Sequence, residues 1–283
     1  MRALWLAVLL LLGGAFGCAK HKPSAERGNS RGASTESTQP AKAVVEGVIR
    51  LAPGAELPSY APEQMEKKLF QKLAPEAPPA TCTPPKKTDR QPVRLTADGA
   101  LAGVMLAPSG FSHQPQRLPV VHEVVIDDCR LNPSLVVAMK GDSLRVSSKV
   151  SFPFMPSYES GPGVRSLIPG QTYDVPLNKP GVSPLLCGFT APCGRTDVIV
   201  LLHPIYAITD AQGKFRFDDF PAGEQVSLSA WHPLFQESKI ALRVEPGEHK
   251  QVELVLTPAP PLPQSVAPAV EKPPAGSSVH KTR

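Results

Sequence analysis

Eleven short apolar runs, punctuated by Pro, Gly, Asn and Asp, constrain this chain more than any other feature of it. Val, Leu, Ile and Phe concentrate in residues 45–51, 101–107, 122–127, 134–139, 143–150, 198–202, 205–209, 214–217, 225–231, 239–244 and 250–256. Runs of this length and composition read as strands. Their short, regular spacing predicts an all-β chain built as β-sandwiches. One helix is predicted over residues 62–73, where Pro62 suits the first helical position and Met65, Leu69 and Leu73 recur every four residues. Lys67, Lys68 and Lys72 occupy its other face.

The two ends read differently. Arg2 precedes an apolar stretch over residues 3–12 and then Gly13, Gly14 and Ala15, the pattern of a signal peptide over residues 1–17. That stretch is shorter than the ~20 apolar residues needed to span a bilayer, and no later segment approaches this length. Residues 18–43 are rich in Ser, Gly, Lys and Thr without apolar periodicity, as expected of a disordered, flexible tether. Residues 258–283 hold seven prolines in 26 residues and read as a disordered, Pro-rich tail.

The formal charge of +5 raises the question of a nucleic-acid partner. Residues 1–43 and the tail together carry +6, which leaves residues 44–257 at −1. Basicity sits in the ends rather than in a patch on a folded surface, so no nucleic-acid partner is expected.

Of the five cysteines, Cys82, Cys129, Cys187 and Cys193 lie in the strand-rich part, an even number for a compartment where disulfides persist. Three pairings are open. Cys82 with Cys129 and Cys187 with Cys193 is the favoured one, because the second pair closes a short loop and the first ties two distant segments together. The alternative is a soft-metal thiolate site.

No Ser, His and Asp set sits in a G-x-S-x-G frame, and there is no Gly-rich phosphate loop or H-E-x-x-H. Asp127–Asp128 and Asp218–Asp219 are adjacent carboxylates, which strand alternation would send to opposite faces. His203 and His232, beside strands and prolines, are read as hydrogen-bonded structural imidazoles; His113, His122, His249 and His280 suggest no site. The chain is therefore expected not to be an enzyme, and no cofactor is expected.

Three resemblances sharpen this. Cys18, directly after Ala15-Phe16-Gly17, resembles the lipobox cysteine of bacterial lipoproteins, although Phe16 is bulkier than the usual residue; the alternative is a plain signal peptide with a free cysteine. The lipobox resemblance implies lipid attachment at Cys18 and an exported protein anchored to a membrane of the bacterial cell envelope, in the periplasm or at the surface.

Thr209-Asp210-Ala211-Gln212-Gly213-Lys214-Phe215, followed by Pro221-Ala222-Gly223, resembles the T-D-x-x-G-x-F segment and Pro-x-Gly turn of carboxypeptidase regulatory-like domains. These are transthyretin-like sandwiches, also classed with carbohydrate-binding-like folds. The residues on either side of Asp210–Gly213 are expected to form a hairpin. Residues 44–111, with strands at Val45–Ile49 and Leu101–Leu106 and the short helix, look like the opening of the same domain, whose remainder is 203–257.

Residues 112–202 resemble cupredoxin-like proteins of the methylamine-utilisation type. The resemblance is carried by Asp128-Cys129-Arg130-Leu131-Asn132-Pro133, by Val136-Val137-Ala138-Met139-Lys140-Gly141-Asp142, by Asn178-Lys179-Pro180-Gly181 and by Cys187. Copper-binding relatives place a histidine, a cysteine, a second histidine and usually a methionine at the site, a trigonal array with a weak axial thioether. Here Pro153 stands at the first position, Cys187 keeps the cysteine, Thr190 stands at the second histidine and Cys193 replaces the methionine. The metal site is accordingly expected to be degenerate.

The fold expected is an Ig/transthyretin-like sandwich combined with a cupredoxin-like one. The function expected is a non-catalytic binding or scaffolding lipoprotein, with a glycan or an envelope protein as ligand. The alternative is periplasmic copper handling or electron transfer. Trp231, Tyr158 and Tyr173 are the aromatics that could stack on a sugar.

Overall fold

The computed structural model describes residues 42–65, 82–83, 86–112, 115–159, 166–187 and 193–260. The signal peptide, Cys18, most of the tether, residues 66–73 of the predicted helix, His113, Thr190, His280 and residues 261–283 lie outside them. Among the described residues, no helix is long and apolar enough to cross a membrane.

The chain is all-β. It opens with β1 (Lys42–Leu51), β2 (Arg94–Leu95), β3 (Leu101–Ala102) and β4 (Met105–Ser109). The middle builds β5 (Val121–Asp127), β6 (Arg130–Asn132), β7 (Leu135–Met139), β8 (Ser143–Ser148), β9 (Pro156–Tyr158), β10 (Thr172–Pro176), β11 (Gly181–Cys187) and β12 (Arg195–Leu201). It closes with β13 (Ala207–Ile208), β14 (Lys214–Pro221), β15 (Gln225–Trp231), β16 (Ser238–Arg243) and β17 (His249–Leu256).

These strands stack as two sandwiches in four sheet layers. In the first, the sheet β14-β1-β17 faces the sheet β13-β4-β15-β16. Period-two alternation sends Val45 and Ile49, Phe215 and Phe217, Val226 and Leu228, and Leu254 and Leu256 into the core between them. In the second, β10-β8-β5-β6 faces β7-β12-β11-β9, and Val124, Ile126, Leu144, Val146, Leu185 and Val198 fill that core. The chain leaves the first sandwich after β4 and builds all of the second. It then returns at β13, which pairs with β4 through Ala207 and Leu106.

A third apolar layer joins the two. Along β12, Val198 and Val200 face the second core, so Ile199 and Leu201 must face outward. On β7, Leu135 and Val137 do the same. They meet Met105 and Ala107 of β4 and Trp231 of β15, which the register places side by side. Strands covered on both faces read as unbroken apolar runs, and both β7 and β12 are buried along almost their whole length.

The segment at Thr209–Phe215 departs from the expected hairpin. The Asp210–Gly213 turn is present, with Gly213 at φ 74° and its N–H donating to the Asp210 carbonyl at 3.0 Å. Yet β13 pairs with β4 in one sheet and β14 with β1 in the other, so the turn crosses between sheets. The buried Thr209 is the reason: its hydroxyl donates to the Leu101 carbonyl at 2.7 Å and accepts from Val104 N–H at 2.9 Å, holding the first arm on β3 and β4.

The predicted helix is a single 3-10 turn, Pro62–Gln64, within the described residues. The ends of the body also differ from expectation. Lys42 and Ala43, assigned to the tether, already pair with Pro221 and Phe220. Pro258, assigned to the tail, bridges Phe235, and Ala259 N–H donates to the Leu234 carbonyl at 2.9 Å.

Candidate functional site

Three of the positions matched to copper ligands, Pro153, Cys187 and Cys193, gather at one end of the second sandwich; Thr190 lies outside the described residues. Cys187 ends β11 opposite Pro156 of β9, so Pro153 lies just upstream of its pairing partner. Phe154, fully buried beside Pro153, forms a two-way bridge with Leu167. Cys187 is bonded to Cys193, with Cα atoms 5.2 Å apart, and both are fully buried. The Cys193 carbonyl accepts from Leu131 N–H at 2.8 Å, tying the bridge to β6.

These residues do not fit a copper ion. A disulfide offers no thiolate and Pro153 has no imidazole nitrogen, whereas the trigonal site needs two imidazoles and a thiolate. Among the described residues no group of three or more His, Cys, Asp or Glu could hold a metal.

Solved structures similar to this chain are cupredoxins. A reduced amicyanin variant matches at 17% identity and TM-score 0.27, over 29% of this chain and 82% of its own. A purple cupredoxin from Nitrosopumilus maritimus matches at 16% and 0.25, over 28% and 99%. A copper-containing nitrite reductase from Thermus scotoductus SA-01 matches at 16% and 0.24, over 35% of this chain and 26% of its own. No likeness of this size reaches beyond the fold. No protein-family model and no curated protein matches the chain.

The other pair, Cys82–Cys129, has Cα atoms 5.7 Å apart and fastens the opening segment to the β5–β6 turn. Asp128 and Cys129 at that turn have φ 43° and 59°, the paired positive values that a two-residue hairpin of this hand requires. Asp128 accepts from Thr83 N–H at 2.9 Å and from Arg130 at 2.6 Å. Those bonds, Thr83 first, hold its carboxyl below the usual range. Arg130 also donates to Asp89 at 2.9 Å. Asp127 is engaged separately by Lys149 at 2.9 Å, and Asp218 and Asp219 by Arg216 and Lys42, so neither carboxylate pair acts together.

Two buried carboxylates that sequence reasoning passed over organise the second sandwich. Asp142 takes both arms of Arg117, the N–H groups of Val120 and Met139, and His122 Nε2 at 2.8 Å. Burial alone would raise its carboxyl; these bonds, Arg117 foremost, hold it far below the ordinary value instead. Asp197, fully buried on the outward face of β12, accepts from the Tyr60 hydroxyl and from Arg195 Nε at 2.9 Å. The Arg195 guanidinium lies 4.2 Å above the Tyr60 ring and donates to the Gln64 carbonyl at 3.0 Å. Burial, then the Asp197 carboxylate, push the Tyr60 hydroxyl well above its ordinary value and keep it a donor. For Asp197 the only sequence signal is a charge inside an otherwise apolar run, whereas Asp142 closes the Val136–Asp142 segment without a role suggested for it.

His232, fully buried beside this cluster, has its Nδ1 accept from Leu234 N–H at 3.2 Å. Its Nε2 finds no partner among the described residues, nor does His203 Nδ1, so the expected hydrogen-bonded imidazoles are only partly satisfied. Burial lowers His232 to about 4, Asp197 opposing and Arg195 reinforcing that shift. The three aromatics suggested for sugar stacking are engaged elsewhere: Tyr158 is buried in the second core, Tyr173 packs against it, and Trp231 belongs to the layer between sandwiches.

A groove of about 830 Å³ runs beside both disulfides. Pro62 and Met65, residues 86–92 and Arg94, β6 with Pro133, and Cys193 to Arg195 form its walls. It contradicts the expectation that basicity is confined to the ends: among the described residues that line it are six cationic side chains and two carboxylates.

Proposed function

We propose that this chain is an exported, lipid-anchored binding and scaffolding module without catalytic machinery, its cupredoxin-like sandwich serving as a rigid wall rather than a metal carrier. The observation that carries this reading is the Cys187–Cys193 bond. It uses the thiol that copper would need, and Cys193 contributes to the side of the groove instead. Two disulfides and the apolar layer around Met105, Val137 and Ile199 support a stiff body, in which a surface can be presented without reorganisation. Disulfides of this kind suit an oxidising compartment, which supports export.

The test is titration of the oxidised, mature protein with copper, followed by calorimetry and absorption. Neither stoichiometric binding nor a thiolate-to-copper band is expected. Tight one-to-one binding with that band would overturn the reading in favour of copper handling or electron transfer.

A further inference from the structure

We infer that the groove beside the two disulfides is a docking site for an acidic, extended peptide segment of a partner protein, an assignment that rests on the binding-module reading. Charge is the first ground. The described residues sum to −2, yet those among them that line the groove carry +4. Arg130 is held by Asp89 and Asp128, and Arg195 by Asp197. Lys86, Lys87, Arg90 and Arg94 make no ion pair among the described residues, and all but Arg90 are exposed. Four cations gathered in a concave site without ion-pair partners among the described residues raise the local concentration of anions and steer them in.

The lining also selects among anions. Among the described residues that line the groove there is no Phe, Tyr, Trp or His, the aromatics on which sugars and bases stack. Met65, Pro62, Pro92, Leu131 and Pro133 supply apolar surface between the cations. A chain of alternating carboxylate and aliphatic side chains matches both, and the exposed guanidinium fork of Arg94 suits a carboxylate in particular. The walls are pre-set: Cys82–Cys129, Cys193 and the Arg130 ion pairs hold residues from distant parts of the chain in place. Such pre-organisation lowers the entropy lost on docking.

The chain itself is a poor occupant. Its stretches outside the described residues are each neutral or net positive; residues 66–81, which join one wall of the groove to another, carry +1.

The experiment uses the mature, oxidised chain and two fluorescent synthetic peptides. One alternates Asp and Glu with Ala and Leu; the other replaces each acid by its amide. Anisotropy should show binding of the acidic peptide, weakening with salt, and none of the amide form. Lys87 and Arg94 are exposed and make no ion pair among the described residues, so the K87E/R94E variant should fold normally. It should bind at least about tenfold more weakly, while K214E, on the first sandwich, should bind as the parent does. Equal binding of both peptides, or no loss in K87E/R94E, would overturn the assignment. So would equally tight binding of a polyuronate oligosaccharide with the same sensitivity, or self-association of the chain that K87E/R94E abolishes. The copper titration is independent of all these outcomes, so failure of the peptide site is distinguishable from failure of the proposed function.

Discussion

Removing the two disulfides one at a time should cost unequal amounts of stability, in an order set by loop length rather than burial. Cys82 and Cys129 are separated by 47 positions, Cys187 and Cys193 by 6. Loop-closure entropy grows with the logarithm of that separation. It corresponds to about 4 kcal/mol for the long loop and about 2 kcal/mol for the short one. Burial points the other way, because Cys187 and Cys193 are fully enclosed while Cys82 and Cys129 keep 7% of their surface exposed. All four belong to one core cluster, and replacing either pair by alanine removes the same atoms, so the cavity terms largely cancel. C82A/C129A should therefore lose about 2 kcal/mol more than C187A/C193A. Urea unfolding followed by far-ultraviolet dichroism and by Trp231 fluorescence measures this. Trp231 sits in the layer between the sandwiches, so coincident transitions would also show that both unfold as one unit. A larger loss for the short-loop pair would refute the reasoning and place the value of that bridge in native packing.

Acid should weaken the fold in two windows. His232 is held at about 4, against about 6.5 in an unfolded chain, so the unfolded state binds a proton that the folded state refuses. Stability should be full above about pH 6.5 and fall by up to about 3 kcal/mol as the pH drops to about 4, a slope that His232→Leu flattens in thermal melts. The depressed Asp142 carboxyl acts lower: its contribution is present above the unfolded value of about 3.9 and is lost as the pH falls through its folded value. Asp142→Ala should cost about 3–5 kcal/mol at neutral pH by leaving Arg117, the buried Met139 N–H and the part-buried Val120 N–H without their acceptor, read as a shift in the urea midpoint. Gly47→Ala should destabilise strongly, because a Cβ there would collide with the Val252 carbonyl and meet the Phe215 ring at 3.1 Å; failure to shift the melting temperature would refute this. Cys18→Ser should abolish lipid labelling and release the protein from the membrane fraction, whereas retention in the membrane without labelling would show that the cysteine is incidental.

Much of the fold was legible because strand alternation and turn chemistry are local. Residues 225–231 form the strand β15 at the expected boundaries. The Thr209–Phe215 segment could be seen as special, although not why. Thr209 pins β3 and β4, Asp210 closes the turn, and a Cβ on Gly213 would come within 2.5 Å of that of Ala100. What was missed lacked a local signal. The strand β10 is half-exposed on alternate residues with no fully buried position, and β11 contains Pro184, which argues against a strand. Pro184 is tolerated because β9 covers only Leu185 to Cys187, leaving that side of Pro184 unpaired. Of the helix expected from Met65, Leu69 and Leu73, only the 3-10 turn Pro62–Gln64 falls among the described residues, and Leu69 and Leu73 lie outside them.

The candidate site was less legible, because its parts are assembled by topology rather than by sequence. A near-neutral middle region spoke against a basic patch, yet charge averaged along a chain says nothing about charge averaged over a surface. Lys86, Lys87, Arg90 and Arg94 come beside Arg130 and Arg195 because Cys82–Cys129 and the Arg130–Asp89 pair fasten the opening segment to β6, and Leu131 N–H fastens β6 to Cys193. The cysteines thus connect the two readings made from sequence. The pair that resembles a metal loop and the pair that resembles a staple border one groove, and closing the first bond converts a donor set into a wall. If that wall is what the bridge is for, reduction should loosen peptide binding before it unfolds the protein. Mild reductant should thus raise the dissociation constant at concentrations where the Trp231 signal is still native; simultaneous loss of both would mean that the bridge serves the fold alone.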